Sequence, residues 1–197
     1  MSGIVDYQEE ISMNGVHYNF PPFVWKKGVR AEIDQTGKYR YLLELPFRQV
    51  PKKKALVILK NPSIADGQAG DQTANRVAKY LYLKGYDKVT LANLYAYRSP
   101  EPKDLVAMSK KWGIDAVIGP HNDAAITVAA QEADLIILAY GTPPGSFKAD
   151  YDRRISQVKT LLKGKEIWHV GKCNIDGYPL HGMVWGFNLP LNQFGGL

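Results

Sequence analysis

A single cysteine, Cys173, among 197 residues leaves no partner for an internal disulfide and no thiolate cluster for zinc, which fits a reducing compartment. No window approaches the roughly 18 consecutive apolar residues of a membrane span. The opening MSGIVDYQEE also has no basic stretch followed by an apolar one. Neither insertion nor secretion is expected, no membrane partner is implied, and the cytoplasm is the default location. Common signatures are missing too: there is no GxGxxG opening a helix after a strand, no P-loop, no HExxH and no GxSxG. No cofactor and no metal site are expected. Without an internal repeat, low-complexity tract or linker, the length fits one domain, residues 1–197, on the prior of about 100–200 residues per domain.

What charge there is lies unevenly. The net charge is +6, and residues 1–50 hold equal numbers of acidic and basic side chains, so the whole excess falls after Arg48. It is carried by the run Lys52, Lys53, Lys54 and by Lys103, Lys110, Lys111, Arg153, Arg154, Lys163, Lys165 and Lys172. A surface of this kind attracts nucleic acid, nucleotides or other anions through a summed field, or is a solvated face with no partner.

The first fifty residues read as β and loop: Tyr39–Leu45 suggests a strand approached through the turn Gln35, Thr36, Gly37, with Pro21, Pro22, Pro46 and Pro51 on either side. This N-terminal segment is expected to form a strand layer or hairpin packed on, or extending, a main sheet built by residues 51–190. From Ala55 onward short apolar runs alternate with helical periods, the signature of βα units and a mostly parallel sheet. The fold class is therefore α/β, three-layered, with about four core strands: Ala55–Leu59, Lys88–Leu94, Leu135–Tyr140 and Glu166–Val170. Ala74, Val77, Ala78 and Leu81 share one helix face ended by Gly85. Pro102 suits the first turn of a short helix through Met108, and a second helix runs from about Asn122 to Ala133. Tyr151, Ile155, Val158 and Leu162 make a further stripe. These stripes are core, not a cofactor box.

Ligands of open α/β sheets gather at the carboxyl ends of the strands, and there this sequence is polar. Strand one runs into Lys60, Asn61, Pro62, Ser63, Ile64, Ala65, Asp66 and strand two into Asn93, Leu94, Tyr95, Ala96, Tyr97, Arg98. Strand three ends at Tyr140 and Gly141, and strand four at Gly171, Lys172, Cys173, Asn174. Asn61 before Pro62 is held out of the helical region and suits positioning a water or a sugar hydroxyl; the alternative is an ordinary Asn-Pro turn with Ser63 as a cap. Asp71 or Thr73 caps the next helix, with Asn75 and Arg76 on its first turn, or else Asp66 or Asp71 is a general base or cation ligand. Tyr95 and Tyr97 beside Arg98 can stack a base, worth about 1–3 kcal/mol where such stacking is made, or serve packing. Of the four histidines, His17 and His121 carry no other chemical signal and His169 sits inside a strand. His181 lies in the loop Gly177, Tyr178, Pro179, Leu180, His181, Gly182, where an imidazole can protonate or polarise a substrate. Gly141–Ser146 reads as a loop or lid rather than a phosphate cradle.

The segments YRYLLEL, LKNPSIADGQAGDQTANR, GYDKVTLANLYAYRSPEP, IGPHND, LAYG and DGYPLHG resemble, in order and spacing from about Gly37 to the His181 loop, a bacterial and phage family catalogued as domain of unknown function 1643. The chain departs from that family at Tyr140, where the family usually has Trp, and at Gly182, where proline usually follows the histidine. The layout is also similar to the uracil-DNA glycosylase superfamily, in which an Asn-Pro or Asp-Pro turn follows the first core strand, an Asn ends the next and a His loop follows the last. That similarity implies hydrolysis of an N-glycosidic bond without a metal, on a base taken out of the stack in DNA or carried by a nucleotide. Asn61, Asn93 and His181 fall at the places that similarity implies, and with Asp66 and Asp71 from the reading above, Asn61, Asp66, Asp71 and His181 are the catalytic candidates. Pro62, Ser63, Thr73, Arg76, Asn93, Tyr95, Tyr97, Arg98, Tyr140 and Gly141 fall to substrate binding. A binding module that holds a nucleotide without breaking a bond, and a hydrolase or transferase of a free nucleotide or phosphosugar, are the alternatives.

Overall fold

Runs such as KALVIL and LIIL are too short for helices and too apolar for a sheet with a wet face, so they form strands buried on both sides. The computed structural model describes residues 18–50, 52–63, 65–99 and 102–194; His17, Pro51 and Ile64, named above, lie outside them. Seven strands form one sheet: β1 (Arg30–Ile33), β2 (Arg40–Pro46), β3 (Lys54–Leu59), β4 (Lys88–Asn93), β5 (Leu135–Leu138), β6 (Ile167–Val170) and β7 (Leu191–Gln193), in the order β1-β2-β4-β3-β5-β6-β7. β4, β3, β5 and β6 are parallel and correspond to the four core strands expected. The sheet is nevertheless wider than four, because antiparallel strands extend both edges. β1 and β2 form a hairpin that pairs with β4, so the N-terminal segment continues the sheet. β7 closes the far edge on β6; its sequence Leu191, Asn192, Gln193 carries no strand pattern.

The helices are α1 (Gln72–Leu83), α2 (Pro102–Trp112), α3 (Asp115–Ile118), α4 (Asn122–Glu132) and α5 (Lys148–Leu161). α1 buries the expected stripe Ala74, Val77, Ala78, Leu81. α2 runs one turn past Met108 to Trp112, with Lys110 and Lys111 in its last turn, cations that favour a helix C-terminus. Side chains alternate across the sheet. Val57, Leu59, Val89 and Leu91 pack with α1, Leu43, Leu45 and Trp185 on one face. Leu56, Ile58, Ala92, Ile136 and Leu138 pack with Ile126, Tyr151, Ile155 and Val158 on the other. Among the described residues no helix is long and apolar enough to cross a membrane.

Two features of this topology position the site. The chain leaves β3 through α1 to β4 on one side, then returns to β5 on the other, so the order reverses at β3. In open α/β sheets ligands bind at such a switch point, outside the carboxyl ends of the strands, here β3 and β5. In β2 the register slips: Glu32 pairs with Leu42 and Ile33 with Arg40, which leaves Tyr41 as an extra residue. Tyr41 and Leu42 both pack toward Ala125 of α4. The slip thereby turns Arg40 to the α1 face, where its Nη1 donates to the Ala65 carbonyl at 2.7 Å.

Candidate functional site at the strand ends

The turns that follow β3 and β4 are sewn together. The Leu94 and Tyr95 amides donate to the Leu59 and Lys60 carbonyls at 2.8 and 3.0 Å, and Ser99 N donates to the Pro62 carbonyl at 3.0 Å. Asn61 Nδ2 donates to the Ser99 carbonyl at 2.9 Å and to the Pro62 carbonyl at 3.3 Å. Both partners are acceptors, so chemistry fixes which end of the amide is nitrogen. Asn61 Oδ1 takes no hydrogen bond among the described residues and is the acceptor the turn presents. Pro62 is buried and Ser63 half-buried. Ser99 Oγ donates to Asp104 at 2.8 Å, which ties the second turn to α2.

Asn93 ends β4 in register with Leu59, so its side chain shares the face of Leu59, Leu91 and α1. It is 0% exposed, and among the described residues neither its Nδ2 nor its Oδ1 has a hydrogen-bond partner. A buried amide in that condition costs about 1–3 kcal/mol. Its backbone is held firmly: Asn122 Nδ2 donates to the Asn93 and Leu94 carbonyls at 3.0 and 3.2 Å, and Arg154 Nε to Leu94 at 2.7 Å. Arg154 is anchored in turn on Asp123 at 2.5 Å. Neither Asn122 nor Arg154 was expected at the site. Arg154 stands beside Ile155 and three residues after Tyr151, on the apolar stripe of α5, and a cation in that position was the available signal.

Asp66 and Asp71 each commit one oxygen to the backbone. Asp66 Oδ1 accepts from Gln68 N and Ala69 N at 2.8 and 3.0 Å, and Asp71 Oδ1 accepts from Ala74 N at 2.7 Å as the N-cap of α1. Both carboxylates also face Arg40, which is 2% exposed. Burial lowers the Arg40 guanidinium to about 10, Asp71 raises it, the Arg98 charge lowers it and Asp66 raises it. The cap sets an expectation: Asp71→Ala lowers stability by about 0.5–2 kcal/mol, and Asp71→Asn, which keeps the capping oxygen, restores most of it in urea titrations. Thr73 is half-buried on the first turn of α1. Arg76 is exposed on that helix; its Nη1 donates to the Trp185 carbonyl at 3.2 Å and its guanidinium lies 5.8 Å from the Phe187 ring. Arg76 thus serves the contact between α1 and the C-terminal segment rather than the strand ends.

The aromatic residues divide. Tyr95 is fully buried, with Phe147 and Tyr151 at centroid distances of 5.8 and 6.3 Å. Tyr140 is buried edge-on to Tyr151. Tyr151 Oη donates to the carbonyls of Tyr140 and Gly141 at 2.8 and 3.2 Å, which fixes the end of β5. Burial pushes the phenols of Tyr95, Tyr140 and Tyr151 well up. Tyr97 is half-buried, edge-on to Tyr39 at 6.2 Å. Arg98 Nη1 donates to the Gly37 carbonyl at 3.2 Å.

The His181 loop closes over this edge because two glycines let it. Gly141 has φ +66, and a Cβ there would sit 3.0 Å from His181 Cβ; a Cβ on Gly182 would meet Val77 at 2.7 Å and Leu59 at 3.0 Å. Gly182 N donates to the Ala139 carbonyl at 3.3 Å. The loop is latched to α5 by Tyr178, whose hydroxyl donates to Asp152 at 2.5 Å and accepts from Lys148 at 2.9 Å. His181 Nδ1 accepts from Met183 N at 3.3 Å, which leaves the ring proton on Nε2. Burial first, then the Lys60 charge, lowers His181 to about 4. The ring is therefore neutral at physiological pH: it can polarise a substrate through Nε2–H but does not act as an imidazolium acid. Because the neutral form is the one buried, the His181 contribution to stability is complete above its ordinary value of 6.5 and is lost as the pH falls toward about 4. Urea midpoints measured at about pH 5 and pH 7.5 are expected to differ less in His181→Asn than in the parent protein.

Lys60, in sequence only the first residue of the turn after β3, lies at the same edge. It is half-buried, burial pushes its amine down, and the Nζ lies 5.8 Å from the Tyr151 ring centroid. No described carboxylate forms an ion pair with it. At the opposite end of β3 and β4 a shallow groove is lined by Glu44, Lys54, Lys88 and Glu132. Its charges are spent on the pairs Lys88–Glu44, at 2.6 Å, and Lys54–Glu132, at 3.5 Å. Among the described residues no three His, Cys, Asp or Glu side chains group as metal ligands.

A mixed sheet whose parallel core reverses at β3, with polar turns from β3, β4, β5 and the His181 loop gathered at the reversal, defines a doubly wound α/β protein with its candidate site at the strand ends. The family described as Protein of unknown function (DUF1643) matches residues 40–183, and the chain belongs to that family. The matched span begins at the buried Arg40 and ends two residues after His181. No curated protein and no solved structure matches the chain.

Proposed function

We propose that the strand-end site is a glycosylase-like hydrolase centre acting on the N-glycosidic bond of a base in DNA or in a nucleotide. The observation that carries this reading is the Asn93 amide, fully buried and without a hydrogen-bond partner among the described residues, on the same sheet edge as an Asn61 whose Oδ1 accepts from none of them. A primary amide offers a donor beside an acceptor, the complement of a base edge that carries an acceptor beside a donor. Asn61 Oδ1 accepts a hydrogen bond from the attacking water and aims its lone pair at the anomeric carbon. As the glycosidic bond lengthens, the sugar gains oxocarbenium character and the departing base takes the electron pair; water adds to the anomeric carbon, and the proton it loses passes through solvent to the base anion. His181 Nε2–H, in a neutral ring of fixed tautomer, donates to the charge that grows on the base. Tyr97 stacks on the base, Arg98 holds a phosphate, and the basic excess after Arg48 draws the polyanion in. The chemistry needs no metal and no cofactor.

A second reading is a nucleotide-binding module that breaks no bond. It is favoured by Asp66 and Asp71, each of which spends one carboxylate oxygen on a turn. Single-turnover incubation with oligonucleotides and free nucleotides carrying deaminated or otherwise modified bases separates the two. Release of a free base supports the hydrolase. Tight binding of the same ligands with no base released supports the module.

A further inference from the structure

The end of the sheet away from the strand-end site carries positive charge without an answering negative one. Phe47 N donates to the Asp87 carbonyl at 2.6 Å and Asp87 N to the Lys53 carbonyl at 2.8 Å, so the stretch after β2 and the stretch before β3 meet there. Trp25 N donates to the Pro46 carbonyl at 2.8 Å, which brings in the 3-10 turn Lys26–Gly28. Lys26, Lys27, Arg48, Lys52 and Lys53 are all exposed, and none of them pairs with a carboxylate among the described residues. The neighbouring Glu44 and Glu132 are matched by Lys88 and Lys54, and Asp134 accepts from Lys54 N at 2.8 Å.

Arg48 is the most firmly placed of the five. Its guanidinium carbon lies 3.9 Å from the Trp25 ring centroid, a stack that uses one face of the cation and leaves its N–H edge to solvent. Among the described residues it is the only one besides glycines with a positive φ, +62, a conformation that a large side chain keeps only where its surroundings over-determine it. They do so here. Gln49 Nε2 donates to the Tyr82 and Tyr86 carbonyls at 2.9 and 3.0 Å, which pins the next residue to the end of α1. Gly28 packs so closely on the indole that a Cβ there would lie 2.4 Å from it.

We propose that this patch binds the phosphodiester backbone of a nucleic acid, with Arg48 as an edge-on phosphate ligand flanked by the four lysines. β3 and β4 have six residues each, which puts the patch about 20 Å from Asn61 and Asn93. It is a second contact surface and stands whether or not the strand-end site breaks a bond. Contacts of this kind position a strand without reading its bases. A membrane surface fits less well: the indole is fixed beneath Arg48, and Val50 is the only large apolar side chain exposed on the described part of residues 48–53, whereas insertion takes an apolar face.

The test follows the full chain binding a short labelled duplex of ordinary bases, by anisotropy, from about 50 to 200 mM salt. The parent is expected to bind and to weaken steeply as salt rises. Arg48→Gly removes the ligand and suits the backbone angle. It is expected to lower affinity about fivefold or more near 0.1 M salt and to reduce the slope of log affinity against log salt by about 0.9, while the melting temperature holds or rises. Lys52→Gln combined with Lys53→Gln also reduces the slope. Removing two charges from the last turn of α2, in Lys110→Gln combined with Lys111→Gln, leaves it unchanged. No duplex binding by the parent, or a slope that neither patch variant alters, overturns the proposal. So does an equal loss in the α2 variant, which would assign the binding to overall charge. Binding to phosphatidylserine vesicles in place of the duplex would overturn it in favour of a membrane. Ordinary bases offer the strand-end site nothing to release, so base-release assays stand or fall separately.

Discussion

Asn93→Leu is expected to raise thermal stability and remove ligand recognition in the same molecule. The amide is 0% exposed and unpartnered at both ends among the described residues, so the free protein carries a desolvation penalty of about 1–3 kcal/mol. Leucine has nearly the same shape, and its neighbours on that face are Leu59 and Leu91, so the exchange relieves the penalty without a cavity. For a domain of this size each kcal/mol moves the melting temperature by about 2–4 °C. The two hydrogen bonds lost to a base are each worth about 0.5–1.5 kcal/mol, so affinity falls roughly 10–100-fold. Melting curves and ligand titrations on the same preparation check both halves. An amide kept for structural reasons gives the opposite sign, a lower melting temperature with ligand binding unaltered.

Asn61→Ala is expected to slow base release by about 10²–10⁴-fold, the range for a group that acts on the proton of an attacking nucleophile, with affinity kept within a few-fold. Alanine also removes the hydrogen bond to the Ser99 carbonyl, which costs about 0.5–1.5 kcal/mol of stability. A loss of activity from a loosened turn must therefore be told apart from a loss of chemistry. Asn61→Asp does this. It keeps an oxygen that can accept from water but turns a carboxylate oxygen onto the Ser99 carbonyl. Under the proposed roles it is the less stable of the two variants and the more active. Equal inactivity of both, with equal destabilisation, would mean that Asn61 only fastens the two turns. Single-turnover rates set beside urea midpoints give the comparison.

The parallel core was legible because its strands are buried on both faces and so are written as apolar runs. That the turns carrying Asn61, Asn93 and His181 leave one edge of the sheet follows from that reading, since parallel strands put their carboxyl ends on one side. Arg40 was not legible as part of the site. It looks like one polar residue in an alternating strand, and only the slip at Tyr41 turns it to the α1 face. Asp66 and Asp71 were open between capping and chemistry because both uses suit the same residue types. Hydrogen-bond geometry assigns one oxygen of each to the backbone. Lys60 reads in the sequence as a solvated charge after a strand, and the Tyr151 ring 5.8 Å from its Nζ comes from far along the chain. β7 has three residues and no pattern, and it exists because β6 offers an open edge.

The most direct test of the strand-end site is to follow the Asn93 side-chain NH2 resonances by proton–nitrogen NMR while free nucleobases are added. The pair is assigned by its disappearance in Asn93→Leu. The proposed function predicts that at least one base shifts both Asn93 protons, with the donor facing the base moving downfield, and that the same base blocked by a methyl group on its donor nitrogen does not. Asn93 resonances unmoved by every base, while the protein binds nucleotides elsewhere, would contradict it.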